Sequence, residues 1–99
     1  MSPKVHVRNN EAQHRFEIDL GDDVAVAEYR LVNGRIVFTH TFVPPRHENN
    51  GYGAALAEAG LAFAREQGLT VVARCRFIAA YIARHPEHQD LLHVESLTD

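Results

Sequence analysis

The residues with chemistry to offer are concentrated after Val43, where the chain reads Val43-Pro44-Pro45-Arg46-His47-Glu48-Asn49-Asn50-Gly51-Tyr52-Gly53-Ala54-Ala55-Leu56. A strand ends there, a loop follows, and a helix opens on Gly51-x-Gly53. The first turn of any helix leaves N–H groups without intrahelical partners, at the positive end of the helix dipole. A helix start free of bulky side chains is therefore suited to anions, phosphates above all. The same two glycines also fit a tight loop that lets neighbouring elements pack closely, and their spacing alone leaves both readings open.

Further candidates lie on either side. Cys75, the only cysteine, ends a strand and reads either as a small buried hydrophobe or as a nucleophile. Arg74 and Arg76 flank it, but neighbours in a strand point to the opposite side. His40 reads as a core histidine or as a general base titrating near neutrality. His47, in the loop after Pro45, is placed to contact a phosphate. Tyr52, Phe77 and Tyr81 recur at helical spacing and read first as packing. His85, His88 and His93 would begin a metal site only if helix continued past Pro86. No cysteine or acid cluster completes that set, so no metal is expected and the segment reads as solvated. Asp19, Asp22, Asp23 and Glu28 read as a wet sheet face and turn that could attract a cationic amine.

The elements that must position these groups follow from periodicity. Phe16, Ile18 and Leu20 alternate with Glu17 and Asp19, the period of a strand with one wet face. Gly21-Asp22-Asp23 is a turn, and Val24–Val32 and Arg35–Val43 flank Asn33-Gly34, the strongest short hairpin signal because a type I′ turn needs positive φ at both central positions. That turn fixes the register, placing Leu31 opposite Ile36, Tyr29 opposite Phe38, Ala27 opposite His40 and Ala25 opposite Phe42. All eight then share one side, apolar except for His40, with Glu28, Arg30, Thr39 and Thr41 on the other. Pro44-Pro45 ends the ladder. Tyr52, Leu56, Ala59 and Phe63 step at three and four residues, an amphipathic helix over 51–67 with Asn49 or Asn50 as N-cap and Gly68 as its stop. Leu69–Arg74 reads as a buried strand, and Phe77, Ile78, Tyr81 and Ile82 as a short helix halted before Pro86. A strand–helix–strand unit over 35–74 implies a right-handed crossover between parallel strands, hence an α/β fold with a mixed sheet.

Composition narrows the function classes. The chain has 99 residues, with 45% hydrophobic and 23% charged residues, the proportions of one globular domain over 1–99 with a loose tail at 94–99. Ten basic against thirteen acidic side chains give a formal charge of −3, and without a basic block the electrostatic basis for nucleic-acid binding is missing. The longest apolar run, Phe77–Ala83, is far short of the ~20 residues that span a bilayer, and Met1–Arg8 offers no signal-like stretch. No membrane association is expected. A lone cysteine suits a reducing cytoplasm.

The motif at the strand–helix junction resembles that of the GNAT superfamily of acetyltransferases, Gln/Arg-x-x-Gly-x-Gly/Ala, which falls here on Glu48-x-x-Gly51-x-Gly53. Glu48 replaces the usual Gln or Arg and Asn49 a common glycine, and a carboxylate facing a pyrophosphate must turn away or weaken binding. Val43-Pro44-Pro45, Gly51-x-Gly53, Leu56, Val71 to Phe77 with Cys75, Tyr81 and His85-Pro86-Glu87 together are similar to the small, roughly hundred-residue GNAT-like proteins, with Arg76 where proline is usual. The resemblance implies a GNAT-like mixed sheet, antiparallel at first, then a β-α-β unit whose parallel strands splay, and a C-terminal helix. It implies acetyl-CoA as cosubstrate, its pyrophosphate on Asn49, Asn50, Gly51, Tyr52, Gly53 and Ala54 next to Glu48, and its pantetheine and thioester along Phe42 and Val43. It makes Cys75 and His40 the catalytic candidates and Tyr81 the donor to the departing thiolate. The acceptor implied is an amine, in an open cleft suited to a peptide or protein, on a monomer or weak homodimer. The alternative is an acyl-CoA-binding or sensing module without turnover.

Overall fold

The computed structural model describes residues 5–93; the expected loose tail at 94–99 lies outside the described residues. Five strands form one sheet in sequential order: β1 (Arg8–Asn10), β2 (Arg15–Asp19), β3 (Val24–Val32), β4 (Arg35–Phe42) and β5 (Thr70–Ala73). The first four pair antiparallel, and β5 joins β4 in parallel after helix α1 (Tyr52–Gln67). Helix α2 (Arg76–Arg84) follows β5, and a 3-10 helix at Pro86–Leu91 closes the described chain. No described helix is long and apolar enough to cross a membrane.

Local sequence explains most of this. Asn33 and Gly34 have φ of 49° and 78°, the positive values a type I′ turn requires. Gly68 stops α1 in the left-handed conformation, its N–H donating to the Ala64 and Arg65 carbonyls. Leu56, Ala57, Gly60, Leu61 and Ala64 form the buried stripe of α1, and the small residues let the helix lie close to the sheet. A Cβ on Gly60 would sit 2.7 Å from the ring of Phe38, itself fully buried. Close packing fixes that position as glycine.

The hairpin departs from the unbroken pattern. Leu31 and Ile36, then Tyr29 and Phe38, pair as expected, but Glu28 pairs with His40, Ala27 with Thr41 and Val26 with Phe42. Thr39 is an extra residue on β4, a β-bulge that reverses which side chains face inward beyond it. His40 therefore lies on the exposed face instead of the apolar one, and Thr41 turns toward the helices instead of solvent. Period-two reasoning cannot see an unpaired residue inside an otherwise regular run.

β1 has no apolar alternation and escaped the sequence pattern. It is tied down by charge: buried Glu17 on β2 accepts from Arg8, Asn10 and Arg15. The hydrogen bonds from Arg8 and then Arg15 hold its carboxyl down to about 2. At the other edge Leu92 bridges Val71, and Arg65 on α1 grips Asp90 with two N–H···O bonds of 2.9 Å, fixing the final 3-10 helix against α1.

Candidate active site

The two parallel strands run together only over Arg35–Phe38 and Thr70–Ala73. The amides of Arg74 and Cys75 both donate to the Phe38 carbonyl at 3.0 Å, and the chain then turns into α2. β4 continues through Phe42, paired on one side with β3 and on its other side with no strand among the described residues. A cleft of about 780 Å³ opens beside this edge, between the end of β4, the start of α1 and one face of α2.

The α1 end of the cleft is built from backbone. Gly51, at φ 79°, is the N-cap in place of Asn49 or Asn50, and no side chain caps the helix. Asn50 instead ties the loop, donating to the His47 carbonyl at 3.0 Å, and Asn49 is left-handed at φ 69°. The first intrahelical bond, Ala55 N–H to the Gly51 carbonyl, is 3.0 Å, so the N–H groups of Tyr52, Gly53 and Ala54 precede it. All three residues line the cleft, and the first turn carries no acidic side chain. Both readings of the glycine pair have physical content. Gly53 packs against Phe77, whose partly exposed ring a Cβ there would meet at 2.7 Å and push aside, and the start of the helix is left bare.

The polar residues of the loop are arranged differently from one another. Glu48 lies on the exposed rim of the cleft, its carboxylate forming no hydrogen bond among the described residues. His47 does line the cleft, but its Nε2 is engaged with Asp22 at 2.9 Å, and Arg46 donates to the other oxygen of Asp22 at 2.6 Å. The His47 bond, then that from Arg46, holds the Asp22 carboxyl below its ordinary range. This pair fastens the β2–β3 turn to the loop that carries the bare amides.

Cys75 is buried at the N-cap of α2, and its Sγ donates to Thr41 Oγ1 at 3.3 Å. Thr41 lines the cleft and Cys75 does not, so the hydroxyl stands between the thiol and the cavity. His40 projects on the opposite sheet face and is not brought together with Cys75.

Tyr81 is nearly buried on α2 and lines the cleft, and its hydroxyl donates to Glu58 of α1. Burial, then the Glu58 carboxylate, push the phenol well above its ordinary range. Burial alone would raise Glu58; hydrogen bonds from Tyr81 and His88 outweigh it and hold the carboxyl low. His88 approaches the same Glu58 oxygen at 2.9 Å. The His85 ring stacks on Tyr81 with centroids 3.9 Å apart, and its Nδ1 lies 2.7 Å from the Tyr81 carbonyl. A carbonyl only accepts, so Nδ1 carries the proton. Sequence reasoning missed Glu58, which sits among the polar positions of an amphipathic helix, and it set His85 aside as solvated. The helix-ending Pro86 was the one available hint that His85 caps α2 instead of trailing from it.

Residues 15–91 match the GCN5-related N-acetyl-transferase family. The chain belongs to that family. Its fold is similar to that of a GCN5-like protein from Staphylococcus aureus solved by NMR in solution, with a TM-score of 0.71, 26% identity, and coverage of 95% of this chain and 93% of that one. No curated protein sequence matches it. The mixed sheet, antiparallel and then parallel with an intervening helix, is the GNAT-like architecture, and membership implies the use of acetyl-CoA.

Proposed function

We propose that this member of the GCN5-related family binds acetyl-CoA in the cleft and transfers the acetyl group to an amine, on a small molecule, peptide or protein. One observation carries the reading: a helix start with three uncapped amides and the unpaired edge of β4 line a single cavity. The residues present fit the cosubstrate. The amides of Tyr52, Gly53 and Ala54, beside Asn49, Asn50 and Gly51, would hold the pyrophosphate. The free edge at Phe42 and Val43 would pair with the pantetheine amides.

Acetyl-CoA supplies an acyl group activated as a thioester. An N–H of Phe42 or Val43 directed at the carbonyl oxygen would stabilise negative charge developing there. As an amine nitrogen bonds to the carbonyl carbon, the C–S bond breaks and the amine releases a proton. A proton must also reach the departing thiolate. Tyr81, one of the two phenols on the cleft wall, is the proposed donor. Cys75, one hydroxyl removed from the cavity, would contribute by shaping the acyl end, or as a nucleophile if Thr41 moves aside. His40 has no part in this reading, since it faces away. The lone thiol also suits a reducing, cytoplasmic compartment.

The competing reading is a module that binds acyl-CoA without turnover, favoured by the Tyr81 hydroxyl donating to Glu58 and by Glu48 on the rim. Incubating the protein with acetyl-CoA and a pool of amines, peptides and proteins, and following free CoA, separates the two. Amine-dependent release supports transfer; a raised melting temperature with no release supports the module; neither result overturns both.

A further inference from the structure

The helices cover the sheet face that carries Ile36 and Phe38. The other face, across β3, β4 and β5, holds a concavity of about 570 Å³ lined by strand residues and His93. Its floor is apolar, with Val37 and Val72 side by side in register and both half-buried. Its rim is basic. Arg30, Arg35 and Arg74 line it, and none of the three forms a salt bridge among the described residues. The carboxylates of this face lie toward β1 and β2, where Glu17 takes Arg8 and Arg15, and Glu28 stands opposite Arg15. A chain with a formal charge of −3 thus gathers three unpaired arginines from three strands, and no run of sequence announces them.

Register fixes the spacing. Arg30 is level with Val37 and Val72. Arg35 lies two residues before Val37 on β4, and Arg74 two beyond Val72 on the parallel β5, so about 13 Å of strand length separates them, with the valines between. In an extended chain, residues i and i+4 on one face span the same distance, about 13 Å, with residue i+2 between them. We infer that this face docks an extended acidic segment of a partner protein. Carboxylates at i and i+4 meet Arg35 and Arg74, and an aliphatic side chain at i+2 rests on Val37 and Val72, with Arg30 beside it. The carboxylates accept charge-assisted hydrogen bonds from the guanidinium groups. A second copy of this chain is a poor occupant, because a two-fold contact would set the arginines against one another. A phosphate backbone would use the rim and leave the valine floor uncovered.

The test is fluorescence anisotropy of a capped, labelled peptide, Glu-Thr-Val-Thr-Glu, with the full chain at about 0.1 M salt. Affinity is expected to fall about tenfold in an Arg35→Gln, Arg74→Gln double variant. It should be kept in Arg76→Gln, an exposed α2 arginine outside the concavity. The isomer Glu-Glu-Val-Thr-Thr, with its acids adjacent, should bind about threefold more weakly. No binding by about 1 mM protein, an unchanged affinity in the double variant, or equal affinity for the isomer overturns the inference. Tighter binding of a labelled oligothymidylate assigns the face to nucleic acid, and a dimer that the double variant dissolves assigns it to a second copy; either overturns it too. So does peptide binding seen only after Glu95→Gln and Asp99→Asn, which would assign the face to acids of this chain.

Discussion

The Cys75 thiol reaches the Thr41 hydroxyl at 3.3 Å across 34 positions of sequence, and it does so because Thr39 is one residue too many in β4. Without the bulge the inward position would belong to His40. The contact ties the end of β4 to the N-cap of α2, at the place where β4 and β5 part.

Thr41→Ala removes both the acceptor of the thiol and the group that separates it from the cleft. Cys75 should then react several-fold faster with iodoacetamide, at a stability cost of about 1 kcal/mol. Alkylation kinetics against a Cys75→Ala control check this. An unchanged rate means the thiol is shielded by something else.

The two tightest glycines should respond unequally to alanine. At Gly60 the new methyl meets the fully buried ring of Phe38, which has nowhere to go, so Gly60→Ala should cost about 2–3 kcal/mol. At Gly53 it meets the outer end of Phe77, a ring 38% exposed and able to swing. Gly53→Ala should cost less than about 1 kcal/mol and instead crowd the cleft. Urea unfolding ranks the two, and a Gly53→Ala, Phe77→Leu double variant should show coupling.

Acid stability should depend on Glu17. Its folded carboxyl sits at about 2 against an ordinary 4.5, so its contribution is complete above pH 4.5 and is lost as pH falls toward 2. Glu17→Gln should be less stable at neutral pH by about 1–3 kcal/mol, and its stability should fall less steeply through that window. Denaturation midpoints across the same range are the measurement.

Removing the Glu58 charge should release the Tyr81 phenol. Burial first, and then the carboxylate, disfavours ionisation of the phenol, so Glu58→Gln should move the highest-pH step of a 295 nm absorbance titration downward. Tyr81→Phe should abolish that step. A step unmoved in Glu58→Gln assigns the upward shift to burial alone.

Much of the fold was legible in the chain because its signals are local. Asn33-Gly34 fixed the hairpin, Pro44-Pro45 its end, Gly68 the end of α1, and the order of elements the mixed sheet. β1 was not legible, since Arg8 and Asn10 are held by the Glu17 carboxylate on the next strand and Asn9 by the Tyr29 hydroxyl, and by no pattern of their own. The bulge was not legible either, because Thr39-His40-Thr41 alternates as an ordinary strand would. In the site, Gly51 and Gly53 stood out by residue type, and Tyr81 and Cys75 by position. Glu58 and His85 acquire meaning only through what packs against them from distant segments.

The bulge has a consequence for how β4 can vary. Any residue between Phe38 and Phe42 can be exchanged one at a time with mostly local effect, yet deleting a single one would swap the sheltered and wetted sets as far as Pro44. That stretch should therefore accept new letters and refuse a new length. A deletion of Thr39 alone would tell whether the cleft survives the inversion.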